Sequence, residues 1–185
     1  MVWKAVFVTK VLSTRRIYDG HVVKVRIDDV ELPNGHRSNF EIIEHAGGVC
    51  VIAQPQPDRI VLVRQYRPAT GSYLLEVPAG KLDPGEDPSA CAVRELQEET
   101  GYRCERIRKA WSFYTAPGFC NELLHLFVAE GLTPGKAAPE DNEAIDVELP
   151  SVDQALEMVD RGEIIDAKTQ IALAFVKLKL SGASG

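Results

Sequence analysis

Three glutamates, Glu95, Glu98 and Glu99, fall within five consecutive residues of a segment with the composition of a helix. At about 100° per residue they share an arc of roughly 100° on one face. Like charges three or four residues apart each cost a few tenths of a kcal/mol. Two of the three also lie in the last turn, where the helix dipole disfavours anions. A local rule broken without local gain is expected at functional sites. Carboxylate oxygens at this density suit a hard divalent cation, which converts the repulsion into attraction. The plainer alternative is a solvated acidic face, relieved by an Arg94–Glu98 pair at i,i+4. On this helix alone both readings stay open.

The flanking residues say how such a helix is held. Asp87-Pro88 supplies an N-cap and a first helical proline, and Gly101 supplies a stop after Thr100. Val93, Leu96 and Thr100, with Ala92 at the edge, fall opposite the carboxylates and should pack on a sheet. Upstream, Tyr73 to Val77 reads as a strand that ends at Pro78-Ala79-Gly80, and a Pro-, Gly- and Asp-containing loop leads to Asp87. Other strand candidates are residues 21–27 and 40–45, a hairpin about Pro33-Asn34-Gly35, and then 49–53, 59–66, 106–113 and 123–129. Residues 131–142 read as loop. Helices are expected from Val152 to Arg161 and from Ala167 to Leu178. Strands, helix, strands and then helices give an α+β fold with helices packed on a mixed sheet.

Composition narrows the partners. A net charge of −6 in 185 residues argues against a nucleic-acid polymer. It leaves a small anionic substrate open, because a bound metal inverts the local field. No apolar run approaches the roughly 20 residues that span a bilayer, and no targeting segment is visible. Cys50, Cys91, Cys104 and Cys120 form neither a CxxC pair nor a zinc-spaced set, so free thiols in a reducing cytoplasm are expected.

The full spacing is more specific than the helix. Gly80, five residues, Glu86, seven residues, then Arg94-Glu95-Leu96-Gln97-Glu98-Glu99-Thr100-Gly101-Tyr102 resembles the Nudix box, with all seven fixed positions matched and Tyr102 at the last apolar one. By chance, a match in a chain of this length arises roughly once in a million sequences. The resemblance implies a Nudix α/β/α sandwich with a mixed sheet, and metal-dependent cleavage of a nucleoside diphosphate linked to another group. It implies Mg²⁺, or Mn²⁺, held by Glu95, Glu99 and Glu98 with the carbonyl of Ala79. Glu86 then binds metal through water or pairs with Arg94. A loop carboxylate outside the box is implied as the base that deprotonates water: Glu143, with Glu140 as runner-up.

Further features resemble the ADP-ribose and nucleotide-sugar branch: Arg64-Gln65-Tyr66-Arg67, Glu76-Val77-Pro78-Ala79-Gly80, and Pro117, sixteen residues after Gly101. In that light Arg67 meets a phosphate or the terminal ribose, or else makes a surface salt bridge. Glu76 contacts the substrate or supports the site. Phe40 stacks on the base or is a core phenylalanine. The implied activity is hydrolysis of ADP-ribose to AMP and ribose 5-phosphate. The alternatives are a GDP-mannose- or UDP-glucose-type pyrophosphatase and, further off, a non-catalytic nucleotide-sugar sensor. The resemblance also implies a small N-terminal antiparallel sheet (residues 1–46) that joins two subunits of a homodimer, and a Nudix domain (47–180); the small, polar residues 181–185 read as a flexible tail.

Overall fold

A computed structural model describes residues 8–138 and 144–182. The described residues divide into two compact units, one within residues 1–47 and 114–122, the other within residues 48–113 and 123–185.

The first unit is built on a three-stranded antiparallel sheet in the order β1-β2-β3, from β1 (Lys10–Asp19), β2 (Lys24–Glu31) and β3 (Arg37–Glu44). The expected hairpin is β2–β3, with Gly35 N–H donating to Leu32 O at 2.8 Å in its turn. β1 was not legible as a strand. Every one of its residues is exposed, so no buried face imposes an apolar alternation on Lys-Val-Leu-Ser-Thr-Arg-Arg-Ile-Tyr-Asp. Residues 114–122 are pinned to β3: Ile43 N–H donates to Phe119 O (2.7 Å), Asn121 N–H to Ile43 O (3.1 Å) and His45 N–H to Asn121 Oδ1 (2.7 Å).

The second unit is the α/β/α sandwich. One sheet has the order β7-β4-β9-β8, from β7 (Ala79–Lys81), β4 (Gly48–Ala53), β9 (Leu123–Glu130) and β8 (Arg106–Tyr114). Within it β4 runs parallel to β9 and antiparallel to β7, so the sheet is mixed. A second, antiparallel sheet has the order β10-β5-β6, from β10 (Ile145–Glu148), β5 (Leu62–Arg67) and β6 (Ser72–Glu76). β10 lies in a stretch that carried no strand expectation, since Ile-Asp-Val-Glu is too short to show a period. α1 (Pro88–Thr100), α2 (Val152–Asp160) and α3 (Ala167–Gly182) complete the unit, α3 running past the expected end at Leu178.

β4 shows why helices cover both faces. All six of its residues are buried. Val49, Val51 and Ala53 share a core with Cys91, Ala92 and Leu96 of α1, whereas Cys50 and Ile52 share one with Ala155 of α2 and Leu173 and Phe175 of α3. Side chains alternate across a strand, so a strand apolar throughout requires cover on both sides.

Candidate active site

α1 begins and ends as its residues dictate. The Asp87 carboxylate accepts from Ser89 N–H (2.9 Å) and Ala90 N–H (3.2 Å), and Gly101 closes the helix at φ 77°. A side chain at Gly101 would also meet Gly135 O at 2.6 Å. The packing face differs from the sequence reading in two respects. Val93 is exposed, and the buried stripe is Cys91, Ala92, Leu96, Glu99 and Thr100. Glu99 therefore lies inside the packed face at 3% exposure, not on the solvent side with its neighbours. Residues 92, 96 and 99 follow the i, i+4, i+7 spacing of a single stripe, and the acidity of Glu99 hid its place in it.

Its surroundings give the reason. Glu99 Oε2 accepts from Ala79 N–H at 3.0 Å, which ties the helix to the corner between β6 and β7. One residue on, Gly80 leaves the space that Glu95 fills. A Cβ built there would lie 1.8 Å from Glu95 Cδ and 1.9 Å from Oε1. Ala79, Gly80, Glu95 and Glu99 are thus brought together as the spacing requires.

Arg94 organises the rest. Its guanidinium donates to Glu86 (3.0 and 3.1 Å), to Glu95 Oε1 (2.8 Å) and to Glu98 Oε2 (2.9 Å). The Arg94 bond, with a second from Asp83 N–H, holds the Glu86 carboxyl down at about 2. Of the two roles open to Glu86, pairing with Arg94 is the one the structure displays. Among the described residues no group of three His, Cys, Asp or Glu is arranged as a ready metal site. The carboxylates turn instead toward Arg94 and the β6–β7 corner. The donor chemistry nonetheless fits a hard cation: the side chains are all carboxylates, and Glu95 occupies a cradle that any residue other than glycine would fill.

A second charged cluster lies at the end of β5 and β6. Arg67 donates through Nε and Nη2 to the two oxygens of Glu76 at 2.8 and 2.7 Å. Glu76 is 1% exposed and also takes a bond from Lys168 Nζ. Burial works against its charge, but the Arg67 and Lys168 bonds prevail and hold its carboxyl below the usual range. Arg67 itself keeps 36% of its side chain exposed. Both readings of Arg67 meet here: it makes a salt bridge, yet offers a cationic edge to solvent. Glu76 is committed to protein partners, Arg67 and Lys168. Sequence reasoning missed Lys168, although Asp166-Ala167-Lys168-Thr169 carried a readable N-cap signal.

In the first unit Phe40 is 43% exposed, which sets aside the core reading. With Arg26, Ile42, Tyr114, Pro117 and Phe119 it lines a groove of about 420 Å³. Glu143 and its runner-up Glu140 lie outside the described residues.

Comparison with known proteins settles what this arrangement belongs to. Residues 44–169 match the NUDIX domain. The chain belongs to the Nudix hydrolase family. Residues 9–43 match the nucleoside diphosphate sugar hydrolase N-terminal domain. Nudix hydrolases generally use divalent metal cations. Among relatives, the chain is 45% identical to a methanol dehydrogenase activator of Bacillus methanolicus over 175 residues, 94% of this chain and 95% of that one. It is 40% identical to an ADP-ribose pyrophosphatase of Bacillus subtilis over 172 residues (92% and 93%), and 34% identical to a GDP-mannose pyrophosphatase of Escherichia coli over 160 residues (77% and 83%). The crystal structure of an ADP compounds hydrolase shares the Nudix fold, with a TM-score of 0.85 over 97% of this chain and 98% of that one at 24% identity. No described helix is long and apolar enough to cross a membrane.

Proposed function

We propose that this Nudix hydrolase cleaves the pyrophosphate bond of ADP-ribose, giving AMP and ribose 5-phosphate, with Mg²⁺ or Mn²⁺ bound. The observation that carries the reading is the carboxylate cradle over Ala79 and Gly80. It places Glu95 and Glu99 against one backbone corner where packing alone favours neither. Glu95, Glu99 and Glu98, with the Ala79 carbonyl, are the oxygens that hold the cation. A bound divalent cation neutralises diphosphate oxygens and lowers the pKa of water.

The chain's own residues do the rest. Arg67 presents forked donors to a phosphate or to the terminal ribose. Glu76 acts through Arg67. Glu143, with Glu140 next, takes the proton from the attacking water as its oxygen bonds to phosphorus and the bridging P–O bond breaks. Glu98 shares in catalysis at the edge of the cradle. Phe40 offers a stacking face to the base, supported by its exposure beside Phe119 in the groove. A second copy of the chain completes a homodimer through the N-terminal sheet, a reading supported by the exposed Val11, Ile17 and Tyr18 of β1. The domain division of the sequence reading, 1–46 and 47–180 with a tail from 181, belongs to the same proposal, although α3 reaches Gly182, inside that tail. Four free thiols favour a reducing, cytoplasmic setting.

The GDP-mannose pyrophosphatase relatives and the match of residues 9–43 favour a second reading, a broader nucleoside-diphosphate-sugar hydrolase. One panel separates the two. Protein with Mg²⁺ is given ADP-ribose, GDP-mannose, UDP-glucose, diadenosine polyphosphates and nucleoside triphosphates, and phosphomonoester release is measured. ADP-ribose should show the highest kcat/KM. Turnover of triphosphates alone defeats both readings. Light scattering should give a dimer mass, and a monomer would remove the shared-sheet proposal.

A further inference from the structure

The first turn of α3 makes a closed circuit with the end of β6. The Asp166 carboxylate accepts from Thr169 N–H (2.9 Å) and Thr169 Oγ1 (2.6 Å), capping the helix. Its other oxygen lies 3.0 Å from Lys168 Nζ. Lys168 bonds Glu76, and Glu76 holds Arg67 in a two-point bond. Thr169 Oγ1 then accepts from Val77 N–H at 2.9 Å, which returns the circuit to the residue beside Glu76. Thr169 is fully buried, and the Lys168 and Asp166 side chains are 12% and 15% exposed. Arg67, on the outside, has the most exposed side chain of the four charged ones.

Such a circuit sets direction more than charge. A carboxylate held by one arginine rocks about that contact, and the guanidinium plane rocks with it. A second donor on Glu76 Oε2, itself anchored to a helix cap, removes that freedom. The charges of Arg67, Glu76, Lys168 and Asp166 balance, so the circuit can be buried without a stranded ion. The next residues are fixed as well: Pro78 O accepts from Val51 N–H at 2.9 Å, and Ala79 N–H donates to Glu99. α3 therefore stabilises the strand end that leads into the carboxylate cradle.

We propose that Lys168 is a positioning residue: acting through Glu76, it holds the Arg67 guanidinium in the orientation that receives the substrate's diphosphate or ribose oxygens. The inference rests on the role of Arg67 in the proposed function. Lys168 touches no reacting atom and has the same importance whichever nucleoside is carried.

A double-mutant cycle with Arg67→Ala and Lys168→Met tests this, measured as kcat and KM for ADP-ribose with Mg²⁺ and as thermal midpoint. Lys168→Met is expected to lower kcat/KM about tenfold, since sub-ångström misplacement of a binding group has effects of that order. In the Arg67→Ala background the same change should cost less than about twofold, because the group it orients is gone. Lys168→Arg should restore most of the loss. A merely structural role gives equal losses in both backgrounds, in step with the thermal midpoint, and that result overturns the inference. Full activity of Lys168→Met overturns it too. If Lys168→Met does not fold, Lys168→Gln enters the same cycle with the same expectations. If Arg67→Ala alone keeps the wild-type kcat/KM, the assignment of Arg67 falls and the inference falls with it. If Arg67→Ala is impaired but the cycle is multiplicative, only the inference falls.

Discussion

Gly80→Ala should leave the protein folded and leave it nearly inactive. Gly80 sits in β7 opposite Val49, with no positive φ to forbid a side chain. The new methyl would lie 1.8 Å from Glu95 Cδ, whereas ordinary contact begins at 3.4 Å, so the carboxyl must retreat by about 1.6 Å. The atoms displaced are the far end of a flexible side chain, and the move is cheap for folding. Replacing glycine in an allowed conformation returns about 0.4–1 kcal/mol through the unfolded chain, so net stability should change by less than about 1 kcal/mol. In a domain of this size that is about 2–4 °C in Tm. Activity is another matter. Misplacement of a reacting or ligating group by 1 Å costs about 10²-fold, which is about 2.7 kcal/mol of transition-state stabilisation. Steady-state kinetics on ADP-ribose and a thermal melt check these two quantities, and Mn²⁺ titration on the same preparation, expected to show weakened binding, checks the cation site itself. A variant with wild-type kcat and Mn²⁺ affinity would refute the cradle. So would one that fails to fold, since that would place the role of Gly80 in packing.

Other expectations follow from the same geometry. Glu99→Gln keeps an acceptor for Ala79 N–H but loses the charge, so kcat should fall by about 10²–10³-fold with Tm held, and near-normal turnover would remove Glu99 from the cation site. Phe40→Ala should raise KM for ADP-ribose by about tenfold with kcat little changed, the worth of one stacking face at about 1–2 kcal/mol, and an unchanged KM would dismiss the groove. Arg94 holds the folded-state carboxyl of Glu86 at about 2 against 4.5, so the pair's stabilisation is complete above about pH 4.5 and is lost as pH falls toward 2. Denaturation curves of Glu86→Gln should accordingly show a shallower acid slope than the wild type, and equal slopes would mean the pair contributes nothing.

Much of the fold was legible because burial writes a period into sequence. Asp87-Pro88 and Gly101 bounded α1 to the residue, and the turn at Pro33-Asn34-Gly35 joined β2 to β3. β1 was illegible for the converse reason: its residues meet solvent throughout, so nothing selects which positions are apolar. If a second copy of the chain covers that strand, the pattern is set by a surface absent from the single sequence. β10, at four residues, is shorter than any window in which alternation can be distinguished from chance.

The site divides along the same line. Spacing revealed the residues that act through one helix and its approach, because their geometry is local: Glu95, Glu98, Glu99 and Gly80 lie within a twenty-residue span. It could not show that Glu99 belongs to the buried stripe, since a carboxylate in a packing position scores as surface until its partner is known. Lys168 was further out of reach, 92 residues from the glutamate it bonds. Yet the two features answer one physical demand. Clustered carboxylates at the end of a helix push apart and away from the helix dipole, so the backbone corner they face must be held from elsewhere. Glu99 grips it at Ala79, Val51 at Pro78, Thr169 at Val77, and Lys168 with Arg67 at Glu76. Four consecutive residues are anchored from β4, β5, α1 and α3, and a corner held that way keeps its carbonyl and its glycine in place while the charges around it are strained.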